Sequence, residues 1–453
     1  MKDYQSKNPY NGDILETYSK DTESDITAKL DKALAVETSW ANIPIAERCE
    51  LLTKVADLLL DRKEEYAELI TKEMGKPISQ SIAEIKKCAW ACDFYALNAE
   101  DLLADELIAT DADESFISND HLGCILAIMP WNYPFWQVIR FAAPTLTAGN
   151  TALLKHAQNV TGCSIALEKL FLDAGYPEGC FQSIKAEHEE IEKLIAHNGI
   201  KAITLTGSEK AGKSIARTAG ENLKKTVLEL GGNNACIVWE DADLKKHMDT
   251  MVNARMQNTG QSCIAAKRFI VCEGIYDSFL EQFTEKVKAL IIGDPMQKDT
   301  FIGVMAREDL AKTLQEQIDA SIKKGAIVTL GNKRDGAFFS PTILTNVTVD
   351  MPVFEEETFG PVAAIIKAKD RKEAIEMAAN SRLGLGSMLF TEDIDGAMNV
   401  ISDIPDGGFF VNDMVKSDPR LPFGGTKASG YGRELSREGI LEFVNKKTVY
   451  IKK

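Results

Sequence analysis

A cysteine and a glutamate are the residues of this chain best suited to covalent chemistry. Cys263 closes the polar run 258–263 (Asn-Thr-Gly-Gln-Ser-Cys), and Glu229 lies upstream at the start of Glu-Leu-Gly-Gly. A thiolate is a good nucleophile, but a free thiol is only a few per cent ionised near neutral pH, so a working cysteine needs a base or a positive environment nearby. We therefore predict Cys263 as nucleophile and Glu229 as base. The alternatives are a buried structural cysteine and a surface glutamate on a loop.

Three further segments carry groups that bind anions. Asn132 follows an apolar stretch and could donate its amide to an oxyanion, although a lone loop asparagine is often a turn former. The run 206–212 (Thr-Gly-Ser-Glu-Lys-Ala-Gly) precedes a helical stretch, where backbone N–H groups can hold a phosphate. An ordinary turn fits that run equally well. Lys155 ends another apolar run and could reach a ribose or a phosphate, or lie in solvent.

The elements that must position these residues begin with helices. Apolar residues at helical spacing predict amphipathic helices over 24–40 and 46–74, and Gly75-Lys76-Pro77 predicts the end of the second. A third helix is predicted over 81–103.

Short apolar runs then alternate with helical stretches, which predicts βα units, a mainly parallel sheet and an α/β fold. The predicted strands of the first half are 124–129, 151–154, 202–205, 227–230 and 236–239, with helices over 164–174 and 210–219. Further strands are predicted at 269–272, 327–330, 362–368 and 409–411. The pattern favours two α/β domains that meet near Gly231-Gly232.

Two segments outside this alternation are predicted to be β structure. Residues 111–121 are predicted to form a separate hairpin, and residues 448–451 an edge strand. Because exposed strand edges need covering, we expect both to pair with another subunit.

Composition limits the possible partners of the 453-residue chain. Its formal net charge of −16 disfavours nucleic acid and anionic membranes, because phosphate binding needs clustered Lys and Arg. The nine cysteines show neither CxxC pairs nor zinc-ligand spacing, so we predict reduced thiols and no metal. No apolar leader and no apolar stretch of membrane-spanning length occur in the sequence, which predicts a cytoplasmic location.

The motifs, taken in order, resemble the aldehyde dehydrogenase superfamily over nearly the whole chain. The residues that carry the resemblance are 130–134 (Pro-Trp-Asn-Tyr-Pro), Lys155, Gly207-Ser208, 229–232, 261–263 (Gln-Ser-Cys), 357–361 (Glu-Thr-Phe-Gly-Pro) and 422–425 (Pro-Phe-Gly-Gly). The resemblance implies a Rossmann-type NAD(P)-binding domain over 1–110 and 122–231 and a catalytic domain over 232–430. It further implies a small β oligomerisation arm over 111–121 and 440–453, in a homodimer or homotetramer.

The same resemblance implies a role for each site residue. Cys263 would be the nucleophile, Glu229 would activate the hydrolytic water, and Asn132 with the Cys263 backbone N–H would form the oxyanion hole. Lys155 and Glu357 would hold the riboses, Ser208 the pyrophosphate, and Phe359 would pack beside the nicotinamide. The residues predicted to bind the cofactor are Trp131, Lys155, Gln158, Gly207, Ser208, Gly231, Glu357 and Phe359. Because Glu229 is present, we expect hydrolysis rather than acyl transfer to coenzyme A.

Two residues suggest the substrate. Arg140 and Ser417 stand where the succinate semialdehyde dehydrogenases of this superfamily bind the distal carboxylate, which a guanidinium group recognises through charge-assisted hydrogen bonds. Many of those enzymes also carry an arginine at the position of Gln257. The expected reaction is oxidation of succinate semialdehyde to succinate. Arg140 as an interior ion-pair partner, a broad or glutarate semialdehyde specificity, and a non-catalytic dinucleotide-binding protein remain as alternatives.

Gln158 bears on the choice of cofactor. Many relatives that prefer NAD carry a glutamate there, whose charge would repel a 2′-phosphate. The neutral amide removes that repulsion without adding a cation, so we expect both NAD and NADP to serve.

Overall fold

The structure, a computed structural model, describes residues 3–453. Its first long helices are Glu23–Ala41, Ile45–Asp61, Lys63–Met74 and Ile78–Leu103. The prediction of one helix over 46–74 is therefore wrong, because the chain leaves the helical conformation at Arg62 (φ −104°, ψ 19°). The Arg62 guanidinium group contacts the Asp173 carboxylate at 2.6 Å, a pairing that helical periodicity cannot reveal. Gly75 ends the next helix in the left-handed conformation, as predicted.

The first sheet has six strands and carries most of the predicted cofactor-binding residues. Its strands are, in spatial order, Gly430–Tyr431, Lys225–Glu229, Ile200–Thr206, Cys124–Met129, Thr151–His156 and Phe181–Ser183. All neighbours are parallel except the first pair. Ile125 packs into one apolar core and Leu126 into another, so both faces are covered. Strands that are buried on both faces appear in the sequence as unbroken apolar runs, which is why these strands could be predicted.

A second, seven-stranded sheet repeats this arrangement in the second half. Its strands are Ile327–Leu330, Thr342–Thr345, Val362–Ala368, Arg268–Cys272, Ala235–Val238, Ser387–Phe390 and Phe409–Val411. Only the first pair is antiparallel. Ile237 and Val238 point into different cores, so this sheet too is covered on both faces. The predicted α/β fold is confirmed.

Helices connect the strands of both sheets. Those of the first sheet are Trp136–Thr147, Thr161–Asp173, His188–Ala196 and Glu209–Glu221. Those of the second are Leu244–Met256, Glu273–Lys288, Glu308–Lys323 and Arg371–Ala379, with short helices at Pro352–Glu355 and Ile394–Asn399. A further short helix, Ser436–Ile440, lies between the strands Gly430–Tyr431 and Val444–Ile451. Single 3₁₀ turns lie at Gln158–Val160, Gln257–Gly260 and Ile401–Asp403.

A separate three-stranded sheet contains the two segments predicted as additional β structure. Its order is Val444–Ile451, Glu114–His121, Glu106–Leu107, with antiparallel pairing throughout. The prediction of a self-contained hairpin over 111–121 is wrong, because this segment supplies one strand whose partners lie elsewhere in the chain. The tail is an edge strand of the sheet, as predicted.

Three small antiparallel pairs complete the β structure of the described residues. They are Tyr4–Lys7 with Ile14–Tyr18, Arg334–Asp335 with Phe338–Phe339, and Leu383–Gly384 with Thr426–Lys427. Among residues 3–453, no helix has both the length and the apolar composition to cross a membrane. The division into domains over 1–110 with 122–231, 232–430, and 111–121 with 440–453 stays a prediction.

Candidate active site

A cavity opens at the carboxyl edge of the first sheet, where parallel α/β sheets bind their ligands. Strands Cys124–Met129, Ile200–Thr206 and Lys225–Glu229 end at this edge. The cavity has a volume of 210 Å³. Its lining includes the predicted residues Trp131, Asn132, Gly207, Ser208, Gly231, Cys263, Glu357 and Phe359.

Cys263 lies where two cavities meet. It lines the 210 Å³ cavity and also a second one of 250 Å³, whose wall includes Arg140 and Ser417. The residue is partly exposed to these cavities, while its surroundings exclude most solvent. This burial raises the pKa of the Cys263 thiol to about 11, and the charge of Arg140 opposes the rise. A sulfur at this junction can contact one ligand from each side.

The loop that carries Cys263 has an uncommon backbone. Asn258, Thr259 and Gly260 all have positive φ angles (55°, 53° and 71°), which costs about 1–2 kcal/mol for each non-glycine residue. The Asn258 side-chain amide donates to the carbonyl oxygens of Asn132 (2.8 Å) and Gln261 (3.0 Å). These bonds hold the strained loop against the segment that carries Asn132.

The Asn132 side chain is fixed from both ends. Its Nδ2 donates to the Gln261 carbonyl oxygen at 3.1 Å, and its Oδ1 accepts from Gln137 Nε2 at 3.0 Å. An amide nitrogen carries two hydrogens, so one N–H of Asn132 is left for a ligand in the cavity. Gln137, which the sequence analysis did not assign to the site, therefore sets the orientation of the predicted oxyanion donor.

Glu229 does not line either of the cavities that meet at Cys263. The side chain is buried, and neither carboxyl oxygen has a hydrogen-bond partner among residues 3–453. Burial raises the pKa of Glu229 well above its ordinary value, the Glu434 charge raises it further, and Arg140 opposes both effects. Only a glycine at 424 leaves room for this carboxyl group, since a Cβ there would lie 2.8 Å from Glu229 Oε1. In this conformation the predicted base makes no hydrogen bond to the thiol, and its surroundings favour the protonated form.

Arg140 lines the 250 Å³ cavity but also forms an interior ion pair. Its guanidinium group contacts the buried carboxylate of Glu434, donates to Thr206 Oγ1 at 3.3 Å and lies 4.8 Å from the centre of the Phe423 ring. The ion-pair alternative considered for Arg140 is thus the one observed. Glu434 was not recognised in the sequence, because no motif marks it and it is remote from Arg140 along the chain.

Ser417 lies in the same cavity beside a lysine that the sequence analysis missed. Its Oγ accepts from Lys87 Nζ at 2.8 Å and from Trp136 Nε1 at 3.1 Å. Lys87 is on the helix Ile78–Leu103 and also lines the cavity. No signal in the sequence distinguishes it, since lysines on amphipathic helices usually face solvent.

Lys155 and Ser208 line a third cavity of 470 Å³ next to the first. Ser208 lines both of them and caps the helix Glu209–Glu221, its Oγ accepting from the Ala211 N–H at 3.3 Å. Burial lowers the pKa of Lys155.

Gln158 lines none of these cavities. It lies in an exposed turn, and its amide donates to the Glu187 carboxylate at 3.2 and 3.3 Å.

Glu357 closes the other wall of the first cavity. Its carboxylate accepts from the Gly232 N–H at 3.1 Å and from the fully buried Lys267 ammonium at 3.0 Å. Lys267, another residue missed in the sequence, also donates to the Ser262 carbonyl oxygen at 2.7 Å and so ties Glu357 to the cysteine loop. Phe359 packs edge to face on Trp131, with ring centroids 5.7 Å apart, and forms an apolar surface there.

A thiol on a strained loop, an oriented amide and a cavity passing over a helix N-terminus define a site for cysteine-dependent oxidation of a carbonyl compound. A model of the aldehyde dehydrogenase family matches residues 1–449, and the chain belongs to this family.

Its similarity to individual relatives extends over the whole chain. It is 47% identical over 447 residues to the probable succinate-semialdehyde dehydrogenase [NADP(+)] of Synechocystis sp., covering 98% of both chains. It is 43% identical over 450 residues to succinate-semialdehyde dehydrogenase [NADP(+)] 1 of Mycobacterium bovis, again covering 98% of both. The crystal structure of succinic semialdehyde dehydrogenase from Streptococcus pyogenes with NADP⁺ superposes with a TM-score of 0.97. It is 36% identical, and 99% of this chain and 100% of that chain are covered.

Proposed function

We propose that this protein oxidises succinate semialdehyde to succinate with NAD or NADP and hydrolyses its own acyl-enzyme. The observation that carries the proposal is the position of Cys263 at the junction of two cavities. One leads over Ser208 toward Lys155, and the other ends at Lys87 and Ser417. A cofactor and an acidic aldehyde can therefore approach the same sulfur from opposite sides.

The residues of the first and third cavities fit a dinucleotide. The N-terminus of the helix Glu209–Glu221, capped by Ser208, offers backbone N–H groups to a pyrophosphate. A side chain at Gly231 would collide with Glu357, since its Cβ would lie 2.4 Å from Oε2, so the glycine keeps this wall open. Lys155 and Glu357 would hold the riboses, with Gly207 at the pyrophosphate and Trp131 and Phe359 at the nicotinamide. When bound, the nicotinamide ring accepts a hydride from the substrate carbon.

The chain's own residues carry the remaining chemistry. The Cys263 sulfur bonds to the aldehyde carbon, and the free N–H of Asn132 with the Cys263 backbone N–H donates to the resulting oxyanion. Donors of this kind are worth about 10² to 10³ in rate. After the carbon is oxidised, Glu229 turns toward the thioester, ionises on leaving its buried pocket and takes a proton from water. The water oxygen bonds to the thioester carbon, and the carbon–sulfur bond breaks to release the acid and return the Cys263 thiolate. The pKa of about 11 keeps the resting sulfur protonated, so the thiol must lose its proton as the ligands bind.

The substrate proposal rests on the cation-bearing cavity and on the names of relatives. Proteins 43–47% identical to this chain are named as succinate-semialdehyde dehydrogenases. Arg140 and Ser417 line the cavity where the carboxylate would bind. Glutarate semialdehyde and uncharged aldehydes remain the alternative substrates, and a non-catalytic dinucleotide-binding protein remains the alternative of another class.

Gln158 is consistent with both cofactors, because its neutral amide neither repels nor pairs with a 2′-phosphate. The names of the two relatives specify NADP(+), and the third cavity is lined by two lysines, Lys155 and Lys210, either of which could pair with that phosphate. We also retain the predictions of a homodimer or homotetramer and of a cytoplasmic location.

A panel of aldehydes with both dinucleotides tests this function. We expect kcat/KM for succinate semialdehyde to exceed that for propanal by about tenfold or more, the effect of one charge-assisted hydrogen bond. Glutarate semialdehyde should fall between them. In Cys263→Ala, formation of reduced nicotinamide should cease while dinucleotide binding persists. Equal values for the acidic and neutral aldehydes would contradict the substrate, and activity in Cys263→Ala would contradict the mechanism.

A further inference from the structure

The cavity on the substrate side of Cys263 contains one partly buried cation without a carboxylate partner. Lys87 forms no ion pair with any of residues 3–453, and its Nζ contacts only a hydroxyl and an aromatic ring. The ring is that of Trp136, whose centre is 4.3 Å from Nζ. An ammonium group removed from water without a counter-ion is costly, so such a group marks a place where an anion would be stabilised.

The other charges in this cavity already have partners. Arg140 is paired with Glu434, and Glu84 with the buried ammonium of Lys76. Lys416 is paired with Asp413 at the surface. Lys87 is therefore the one cation lining this cavity that forms no ion pair with any of residues 3–453. This assignment differs from the sequence-based one, in which Arg140 holds the carboxylate.

The Ser417 hydroxyl completes the site. Its oxygen has two lone pairs, and both are occupied, one by Lys87 Nζ and one by Trp136 Nε1. Its own hydrogen is therefore directed away from both donors and is free to bond an acceptor in the cavity. Lys87 has two further N–H bonds beyond the one given to Ser417. An ammonium and a hydroxyl hydrogen side by side are suited to the two oxygens of a carboxylate.

We propose that Lys87, held by Ser417 and Trp136, is the charged anchor for the distal carboxylate of the aldehyde substrate. Arg140, paired with Glu434, lines the wall of the same cavity. This inference rests on the proposed function, since it concerns the part of the substrate remote from Cys263. It assigns selectivity among aldehydes to a residue on the helix Ile78–Leu103.

The charge of this anchor should depend on pH within the working range. Burial, and secondly the charge of Arg140, lower the pKa of Lys87 to about 8, while Cys88, Glu84 and Asp418 oppose the shift. The ammonium form predominates below pH 8 and is lost above it, about two pH units earlier than for an ordinary lysine. Lys416, from the loop facing the helix, also lines the cavity. The preference for an acidic aldehyde should therefore decline above pH 8.

Three variants test the proposal: Lys87→Met, Lys87→Arg and, as a matched control, Lys86→Met at the exposed neighbour on the same helix. The measured quantity is the ratio of kcat/KM for succinate semialdehyde to that for butanal, which has the same number of carbons but no charge. We expect Lys87→Met to lower this ratio about 10- to 100-fold, mainly through KM for the acidic aldehyde. Lys87→Arg should restore part of the loss, and Lys86→Met should match the wild type.

The ratio also separates failure of the inference from failure of the proposed function. If the wild type does not prefer succinate semialdehyde to butanal, the proposed function is contradicted. If the wild type prefers it and Lys87→Met keeps the preference, the function stands and the anchor is not Lys87. In the wild type the ratio should decline as pH passes 8, where Lys87 loses its charge. Groups that act on both substrates change both values of kcat/KM equally, so their titration cancels in the ratio. A ratio that is constant from pH 7 to 9.5 would also overturn the assignment.

Discussion

The two residues expected to do the chemistry both lie in surroundings that favour their neutral forms. Burial raises the pKa of the Cys263 thiol to about 11, and burial with the Glu434 charge raises that of Glu229. No hydrogen bond joins them. In the proposed mechanism this conformation is the resting state. That mechanism requires Glu229 to leave its pocket beside Gly424 and meet the acyl group on Cys263.

This separation predicts that Glu229 acts late in the reaction. In Glu229→Gln, the first turnover should still produce a burst of reduced nicotinamide, because attack and hydride transfer do not need the base. Steady-state turnover should fall by about 10² to 10⁴, the usual contribution of a general base. Stopped-flow absorbance followed by steady-state rates measures both phases. Hydroxylamine, which accepts the acyl group without a base, should restore turnover. Loss of the burst itself would show that Glu229 activates the thiol instead.

At the scale of elements, the backbone of the cysteine loop is tightly constrained. Gly260 has a φ of 71°, and a Cβ on it would lie 2.2 Å from the Gly360 carbonyl oxygen. This close approach packs the loop against the segment that carries Glu357 and Phe359. A glycine is therefore required at 260 for backbone reasons, independently of any contact with substrate.

Gly260→Ala should consequently displace the nucleophile. We expect kcat/KM to fall by about 100-fold, the effect of shifting a reacting group by about 1 Å. The free energy of unfolding should fall by about 1–3 kcal/mol because of strain and overpacking. A matched control is Gly220→Ala in the helix Glu209–Glu221, where a Cβ meets nothing within 4 Å. It should be neutral or stabilise by up to about 1 kcal/mol without changing kcat/KM. Thermal unfolding and steady-state kinetics should be measured for both variants. If Gly260→Ala has the same stability and kcat/KM as Gly220→Ala, a glycine is not required at 260.

The sequence predicted those elements whose pattern is local. The strands at Cys124–Met129 and Val362–Ala368 have the predicted bounds, because strands covered on both faces are unbroken apolar runs. The break at Arg62 and the partners of Glu114–His121 depend on distant residues, and these predictions were wrong.

The same distinction applies to the candidate site. Motif residues at the ends of strands, such as Asn132 and Ser208, were found because the fold brings strand ends to one edge. Glu434 was missed because its backbone pairs only through an isolated bridge to Phe423, which leaves no pattern in the sequence. Lys87 was missed because helical periodicity predicts which face of the helix a residue lies on, but it does not predict which distant residues, such as Ser417, contact that face.

At the scale of the whole molecule, the three-stranded sheet is the feature that a single chain leaves incomplete. The strand Val444–Ile451 has a partner on one side only among residues 3–453, and Tyr450 on it is exposed. Leu107 (78% exposed) lies on Glu106–Leu107, the strand at the opposite edge of this sheet, and Leu97 (83% exposed) lies on the helix Ile78–Leu103 that precedes it. Apolar side chains beside an unpaired strand edge are typical of a surface covered by another copy.

We therefore expect the wild type to be a homo-oligomer held together through this region, and the double variant Leu97→Glu/Leu107→Glu to dissociate. Two carboxylates buried in each copy of an apolar interface would be left without partners, a cost of several kcal/mol per contact. Size-exclusion chromatography with light scattering should give a multiple of the chain mass for the wild type and the mass of one chain for the double variant. Leu223→Glu is the control, because Leu223 is 96% exposed but follows the helix Glu209–Glu221, away from the three-stranded sheet. A monomeric wild type, or a double variant with unchanged mass, would contradict this interface, whereas dissociation in Leu223→Glu as well would point to a different surface.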